Sequence, residues 1–238
     1  MKPNISVFYP TYNEAETIST LINQTIRVLK KVANKYEIIV VNDGSIDNTP
    51  RIVQELSKRN SKVRMVTHPV NLGYGAALRS GIQNSRYDLI FYTDSDLQFD
   101  VAELEKLLPL IKRADIVSAY RTNRQDPLTR KIVAWVYNKF LRYYLGVKVK
   151  DIDCAFKLYK KEIFNHITIR SEKGTADVEI LAKAQKKGFK IAQVGVHHYK
   201  REKGDSVFDK NLFNIVSPSY VIILLQETYR VKQELKKM

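Results

Sequence analysis

The chain has 238 residues and a mass of 27.6 kDa, a size that fits one large domain built around a substantial core. Hydrophobic residues make up 44% and charged residues 27% of the sequence, a balance that excludes a disordered chain or a fibrous repeat. Lys and Arg number 40 against 25 Asp and Glu, so the formal net charge is +15, which favours an anionic partner such as phosphate, nucleic acid or an acidic membrane without choosing among them.

The first half of the chain alternates short β-branched runs with longer stretches of helical period. This alternation predicts βαβ units around a mainly parallel sheet, which is an α/β fold. The predicted strands are 5–9, 36–41, 63–67, 89–93 and 116–119. The predicted helices are 16–31, 49–59, 74–83 and 101–111.

Polar segments follow three of these strands. In an open α/β sheet, ligands bind beyond the carboxyl ends of the strands, so the segments that follow the strands are the first candidates for a site. We expect them to converge at one edge of the sheet. They are Pro10-Thr11-Tyr12-Asn13-Glu14, Asn42-Asp43-Gly44-Ser45 and Asp94-Ser95-Asp96-Leu97-Gln98.

The segment after the fourth strand carries two carboxylates one residue apart, Asp94 and Asp96. Such a pair can hold a hard divalent cation that neutralises a nucleotide diphosphate. Gln98 adds an oxygen ligand or an orienting hydrogen bond. Asp and Ser are also good turn formers, so the pair by itself does not distinguish a metal site from an ordinary turn.

The segment after the second strand has two readings. Asp43 can accept hydrogen bonds from a base or a ribose, and Gly44 permits a close approach. The same stretch can form a helix N-cap through Asp47 or Thr49, and both readings can hold together. Glu14 also has two readings, as an acid at a helix N-terminus or as a contact to the nucleotide donor.

The second half of the chain is mixed. A longer amphipathic helix is predicted over 129–145, and Gly146 stands in the position of its C-terminal cap. Strands are predicted at 156–159 and 191–199, with a helix around 178–187 between them. Ser217-Pro218 predicts the start of a last amphipathic helix. Its proposed apolar face consists of Val221, Leu224, Leu225, Thr228 and Leu235.

Two features bear on location. The single Cys154 excludes an internal disulfide and fits a reducing compartment. The N-terminus has no signal-peptide apolar region, and the apolar run at 220–225 is far shorter than the ~20 residues that a membrane span needs. We therefore expect a cytoplasmic protein that is peripheral on the membrane.

The three strand-end segments and the stretch Asn71-Leu72-Gly73-Tyr74-Gly75-Ala76-Ala77 resemble glycosyltransferase family 2 in order and spacing. Within that family the chain is similar to the dolichol-phosphate mannose synthase and polyprenyl-phosphate glycosyltransferase branch. The resemblance continues through Asp153-Cys154-Ala155-Phe156-Lys157 and Asp177-Val178-Glu179 to Arg201-Glu202-Lys203-Gly204-Asp205-Ser206, and covers roughly residues 4–208. It implies the GT-A fold, inversion at the sugar carbon and dependence on Mg²⁺ or Mn²⁺.

The resemblance also implies roles for single residues. The implied donor-binding residues are Pro10, Tyr12, Glu14, Asp43, Asp94, Ser95 and Asp96. Metal ligation falls to Asp94, Asp96 and Gln98. The positions that match phosphate-facing residues of the lipid-phosphate branch are Arg121, Arg201 and Ser206. Arg130 is a further candidate, and its other reading is that it only starts the next helix. Guanidinium groups suit this task because they bind phosphate bidentately and stay charged inside a cleft.

Three implied catalytic residues are Asp96, Arg201 and Asp177. Asp177 lies where many hydroxyl-accepting members of the family carry a catalytic base. A hydroxyl must lose its proton during attack, whereas a phosphate is already ionised and needs little base. The role of Asp177 therefore depends on the acceptor, and orienting the acceptor or starting a helix are its other readings.

The chain departs from the family pattern at some positions of the site. Asn42 replaces a frequent Asp before Asp43, which leaves recognition of the base to one carboxylate. Ala155 and Lys157 stand where Gly and Arg are common, and both changes lie on the acceptor side.

These features predict an inverting glycosyltransferase that moves a hexose from GDP-mannose or UDP-glucose to a polyprenyl or dolichyl phosphate. The alternative acceptor is a hydroxyl of a surface glycan, with Asp177 as base. Nucleic-acid binding is not expected, because no helix-turn-helix or RNA-recognition motif accompanies the positive charge. We assign 1–208 to the catalytic domain and 209–238 to a C-terminal amphipathic segment.

The helix over 129–145 mixes aromatic and basic residues, a combination suited to a lipid headgroup interface. A core-packing helix with a basic outer face is the other reading. Together with the last helix it predicts peripheral membrane contact.

Overall fold

The computed structural model describes residues 2–123, 128–201 and 218–238. The strands are β1 Asn4–Thr11, β2 Lys35–Asp43, β3 Val63–His68, β4 Leu89–Thr93, β5 Ile116–Thr122, β6 Phe156–Lys160 and β7 Ile191–His197. The helices are α1 Ile18–Val32, α2 Thr49–Arg59, α3 Tyr74–Asn84, α4 Leu104–Ile111, α5 Leu128–Leu145, α6 Ala176–Lys186 and α7 Pro218–Lys237.

One seven-stranded sheet in the order β3-β2-β1-β4-β6-β5-β7 forms the centre of the molecule. The strands β1 to β4 run parallel, and β5 pairs with β7 in parallel. Among the strands of the described residues, only β6 is reversed, because it pairs antiparallel with both β4 and β5. The predicted mainly parallel sheet is therefore confirmed, and the carboxyl ends of β1, β2 and β4 share one edge.

Helices cover both faces of the sheet. Side chains of α1, α2 and α4 pack on one face, and those of α3, α5, α6 and α7 pack on the other. Strands that are buried on both faces are apolar along most of their length, which is why their runs stand out in the sequence. In β1, Phe8 belongs to one side of the core and Val7 and Tyr9 belong to the other.

Some predicted boundaries shift for local reasons. The predicted helix 101–111 splits into a 3-10 turn over Val101–Glu103 and α4, and the Asp100 carboxylate accepts from the Ala102 amide at 2.9 Å at the start of the turn. Helix α1 begins at Ile18 instead of residue 16, because residues 14–17 form a turn in which the Thr17 amide donates to the Glu14 carbonyl at 3.2 Å. The helix α5 ends as predicted at Gly146, whose φ is +74°.

Helix α7 has two different halves. Its C-terminal half is part of the core through Val231 and Leu235. Its N-terminal half exposes Val221 and Leu225, so the apolar face predicted for this helix is buried only along part of its length. The predicted boundary between 208 and 209 lies outside the described residues.

Candidate active site

The segments after β1 and β2 are bonded to each other. The Asn13 amide donates to the Ser45 hydroxyl at 3.0 Å, and the Asn13 side chain accepts from the Ile46 amide at 2.9 Å. The Glu14 amide donates to the Thr49 hydroxyl at 2.9 Å. Asn13 adopts a left-handed backbone here, with φ of 56°, which Asn tolerates better than most residues.

The segment after β4 joins the same edge. The Ser95 hydroxyl donates to the Pro10 carbonyl at 3.0 Å, so the donor candidates Pro10 and Ser95 are in direct contact. Asp96 accepts from the Gln98 amide at 3.0 Å, which closes the loop that carries the two carboxylates. The three polar segments predicted to converge lie together.

Asp94 is buried beside other carboxylates. Burial, together with the neighbouring Asp96 and Asp177, raises the pKa of Asp94 to about 8, while a hydrogen bond from Tyr74 opposes the shift. A carboxyl group in this setting holds its proton unless a cation compensates its charge. The raised pKa thus fits a place where a divalent cation would be bound.

The carboxylates of the candidate site can be compared with the ligands that a divalent cation requires. Among the described residues, no group of three or more His, Cys, Asp and Glu side chains is arranged to hold a metal ion. Mg²⁺ usually binds through one or two carboxylates and completes its shell with substrate phosphates and water. The pair Asp94 and Asp96 fits that pattern.

Arg201 lies between two acidic site residues. Its Nη2 donates to Glu14 Oε1 at 2.8 Å, and its Nη1 lies 3.6 Å from Asp96 Oδ2. Burial raises the pKa of Glu14, and Arg201 partly offsets this rise. The guanidinium group therefore links the first polar segment to the diacidic one.

Gln98 holds the segment that leads to Arg201. Its side-chain Nε2 donates to the Tyr199 carbonyl at 3.1 Å, and the Tyr199 amide donates to the Gln98 carbonyl at 2.9 Å. This contact positions Arg201 beside Asp96, and it gives Gln98 a structural task next to its expected metal ligation.

Arg121 is held by an acidic partner. Its Nε and Nη2 donate to the two oxygens of Asp151, each at 2.7 Å, in a bidentate pair. A phosphate that binds Arg121 would have to compete with Asp151 or bind the edge of the pair. Arg130 lies at the start of α5 with its side chain outside the described residues, and Ser206 is also outside them.

Asp43 holds a neighbouring turn. Its Oδ1 accepts from the Leu72 amide and its Oδ2 from the Gly73 amide, both at 2.9 Å. His68 Nδ1 lies 2.6 Å from Asp43 Oδ1, and His68 Nε2 lies 2.8 Å from the Ser80 hydroxyl. Asp43, which the sequence predicts as a donor-binding residue, therefore also shapes the turn that leads into α3.

The Gly-Tyr-Gly stretch brings a distant loop to the site. Gly73 has a φ of +102°, a left-handed conformation that favours glycine, and it begins α3. A Cβ on Gly75 would lie 2.4 Å from the Ser171 carbonyl oxygen, so only glycine fits here. The Gly75 amide donates to the Glu172 carbonyl at 2.9 Å and fixes the loop before α6.

Asp177, in the first turn of α6, is buried and paired. Lys157 Nζ donates to its Oδ1 at 2.8 Å, and the Tyr92 hydroxyl donates to the same oxygen. The sequence marked Lys157 only as a departure from the family pattern and did not identify Tyr92. Glu179, two residues further along α6, instead accepts from Lys183 and from the Ser171 amide, which lowers its pKa although burial raises it.

Several known proteins are similar to this chain in sequence. Residues 6–168 match the family described as Glycosyl transferase family 2. The Glycosyltransferase AglD of Haloferax volcanii is 30% identical over 215 residues, which cover 86% of this chain and 34% of that protein. The undecaprenyl-phosphate 4-deoxy-4-formamido-L-arabinose transferase of Pectobacterium atrosepticum is 30% identical over 208 residues, which cover 86% of this chain and 62% of that protein. The chain thus spans less than two thirds of the length of these relatives.

Known structures share the fold. The glucosyl-3-phosphoglycerate synthase of Mycobacterium tuberculosis in complex with Mg²⁺ and UDP superposes with a TM-score of 0.67 at 20% identity, covering 94% of this chain and 79% of that one. The same enzyme with Mn²⁺ and UDP-glucose gives a TM-score of 0.67 at 21% identity, with 94% and 78% covered. No helix in the described part of the chain has the length and apolar character needed to cross a membrane.

Proposed function

The chain belongs to glycosyltransferase family 2 and has the GT-A fold, and on this premise we propose that it transfers a hexose from GDP-mannose or UDP-glucose to a polyprenyl or dolichyl phosphate. The observation that carries the proposal is the meeting of Glu14, Asp96 and Arg201 at the carboxyl edge of the sheet. Relatives at 30% identity are named as undecaprenyl-phosphate transferases, which supports the phosphate acceptor. The catalytic domain is taken as 1–208 and the C-terminal segment as 209–238.

On the donor side, Asp94 and Asp96 would hold Mg²⁺ or Mn²⁺, with Gln98 as a further oxygen ligand. The ion would offset the charge of the diphosphate as it leaves. Pro10, Tyr12, Glu14, Asp43 and Ser95 would bind the rest of the nucleotide sugar.

On the acceptor side, Arg201 would bind the acceptor phosphate, assisted by Arg121, Arg130 and Ser206. A phosphate oxygen would attack the anomeric carbon from the face opposite the nucleotide, which inverts that carbon in a single displacement. The guanidinium group of Arg201 suits this step because it remains charged in a partly buried site.

Peripheral membrane contact fits the two helices that expose apolar side chains. Helix α5 exposes Trp135 and Tyr143, 57% and 92% accessible, and α7 exposes Ile222, 51% accessible. Lys139 lies over the ring of Trp135 at 5.0 Å, an aromatic and basic pairing suited to lipid headgroups. The helices α5 and α7 contact each other, so their exposed side chains lie on neighbouring elements. The location would be the cytoplasmic face of the membrane.

Transfer of radiolabelled sugar tests this function. Purified protein is incubated with labelled GDP-mannose or UDP-glucose, a polyprenyl phosphate and Mn²⁺ or Mg²⁺, with EDTA as the control. We expect label in the lipid fraction that EDTA abolishes, and the donor that gives it identifies the base and the sugar. Hydrolysis of both donors without labelled lipid would contradict the proposal.

A further inference from the structure

A buried ammonium group lies at the centre of the acceptor side. The side chain of Lys157, on β6, is fully buried. Its Nζ donates to Asp177 Oδ1 at 2.8 Å, to the Cys154 carbonyl at 2.6 Å and to the Ile152 carbonyl at 3.1 Å. A buried charge is tolerated when it is paired and hydrogen-bonded, and Asp177 supplies the compensating charge.

This pairing conflicts with a base at Asp177. A catalytic base takes the acceptor proton in the transition state and becomes neutral. If Asp177 became neutral, Lys157 would remain as a buried charge without its counter-ion, which is strongly unfavourable. The Tyr92 hydroxyl already occupies the same oxygen as a donor. Asp177 is only 4% accessible, so water cannot readily compensate for the lost charge.

The ion pair also reaches the phosphate-binding candidates. Lys157 grips the carbonyls of Ile152 and Cys154, and the same turn carries Asp151. Asp151 holds the guanidinium group of Arg121 in a bidentate pair. Asp177 therefore acts through Lys157 on the turn that positions Arg121.

We propose that Asp177 is the counter-ion of Lys157 and a positioning residue for the turn that holds Arg121. This inference rests on the proposed function, whose phosphate acceptor is already ionised. The step then needs no base: an oxygen lone pair of the phosphate forms the bond to the anomeric carbon. The bond from that carbon to the diphosphate breaks, and its electron pair leaves with the nucleoside diphosphate.

A double-mutant cycle tests the pairing. The variants are Asp177→Asn, Lys157→Met and the double variant, with kcat and KM measured for polyprenyl phosphate and donor. Asn keeps the acceptor oxygen for Tyr92 and Lys157 but lacks the charge. We expect each single variant to raise the acceptor KM and to lower transfer. The double variant should recover about tenfold over the weaker single variant, because removing both charges leaves no buried charge without its partner.

Controls separate positioning from general damage. Lys157→Arg keeps the charge and should retain most of the transfer. Lys160 is on the same strand as Lys157, and its ammonium group forms a more exposed ion pair with Asp115 at 2.9 Å. Lys160→Met removes this ammonium group and should leave transfer unchanged. Melting temperatures of all variants show which of them are folded.

A second measurement needs no variant. If a base removes the acceptor proton in the transition state, transfer by the unaltered protein is slower in D₂O than in H₂O. An ionised phosphate acceptor predicts a rate ratio of about one. A clear solvent isotope effect on the chemical step would overturn the inference, as would a folded double variant no more active than Asp177→Asn.

The outcomes also separate this inference from the proposed function. If the protein labels polyprenyl phosphate but the cycle shows no recovery, the function stands and the inference fails. If it labels only a hydroxyl acceptor, the proposed function and the ionised acceptor both fail, and recovery in the same cycle on that acceptor would retain the counter-ion role alone.

Discussion

Arg201 makes the contacts that unite the candidate site, because its two terminal nitrogens face different carboxylates, Glu14 and Asp96. A Lys at this position keeps the charge but has one nitrogen and cannot span both partners while binding a phosphate. We expect Arg201→Lys to lower kcat/KM by about ten- to hundredfold, the loss of one or two charge-assisted hydrogen bonds.

The matched control is Arg51→Lys, which alters an exposed guanidinium paired with Glu55 on α2. It should leave kcat/KM unchanged. Full activity of Arg201→Lys at saturating and at low acceptor would contradict the role given to Arg201.

The raised pKa of Asp94 predicts that the stability of the protein depends on pH. Its pKa in the folded protein, about 8, lies above the ordinary 3.8, so without a cation the folded protein keeps a proton that the unfolded chain has lost. This contribution to the free energy of unfolding is present below the ordinary pKa and is lost as the pH rises through about 8. Metal binding must release that proton, so stabilisation by Mn²⁺ should increase over the same range.

Melting temperatures of the protein and of Asp94→Asn between about pH 5 and 9, with and without Mn²⁺, measure both effects. Asp94→Asn should have a flatter pH profile without metal and a smaller shift with it. Equal Mn²⁺ stabilisation of the two proteins at every pH would rule out Asp94 as a ligand.

The strand-end carboxylates were predictable from the sequence, because parallel strands bring their carboxyl ends to one edge whatever the details of packing. The partners of Asp43 and Asp177 were not. His68 meets Asp43 through the pairing of β2 with β3, and Lys157 meets Asp177 because β6 is inserted beside β4. Such contacts depend on strand order and on register, and the near-continuous apolar runs of strands buried on both faces encode neither.

At the scale of elements, α7 is tied to the site by Glu227. Its carboxylate accepts from the Glu172 amide at 3.0 Å and from the Thr175 hydroxyl, directly before α6. The Glu172 carbonyl in turn accepts from Gly75 at the start of α3. The C-terminal helix thus holds the loop that joins the donor side to Asp177.

We expect Glu227→Ala to leave the buried Thr175 hydroxyl without its acceptor and to lower the free energy of unfolding by about 1 to 3 kcal/mol, a fall in Tm of roughly 2 to 12 °C, together with reduced transfer. Gln226→Ala, on the exposed side of the same helix, is the control. Unchanged Tm and transfer in Glu227→Ala would show that the loop does not depend on α7.

The exposed apolar side chains of α5 and α7 predict vesicle binding. Replacing Trp135 and Ile222 together by Glu adds charge to both helices, so co-sedimentation with anionic vesicles at low salt should fall strongly. Val70→Glu changes an exposed apolar residue elsewhere, 60% accessible, and should bind as the unaltered protein does. Equal sedimentation of all three proteins would show that these helices do not make the membrane contact.

The positions of the elements were predictable to within a few residues, since β-branched runs and helical periods are local signals. The direction of β6 was not, because a short buried strand reads alike in both directions. The division of the predicted helix 101–111 into the 3-10 turn at Val101–Glu103 and α4 was not predictable either, since the apolar pattern runs through both the turn and α4.

At the scale of the whole molecule, the sheet order places β1, β2 and β4 beside one another and gathers donor and metal candidates at one edge. The strand β6 brings the acceptor-side turn next to them through its pairing with β4. The net charge of +15 suits a protein whose proposed donor, acceptor and membrane surface are all anionic.

The most direct test of the central claim compares two acceptors that differ only in the phosphate. With Mn²⁺ and a labelled donor, we expect label in a polyprenyl phosphate and none in the polyprenol of the same length, because we propose that Arg201 binds the phosphate and that Asp177 is the counter-ion of Lys157. Comparable label in the polyprenol would contradict the account.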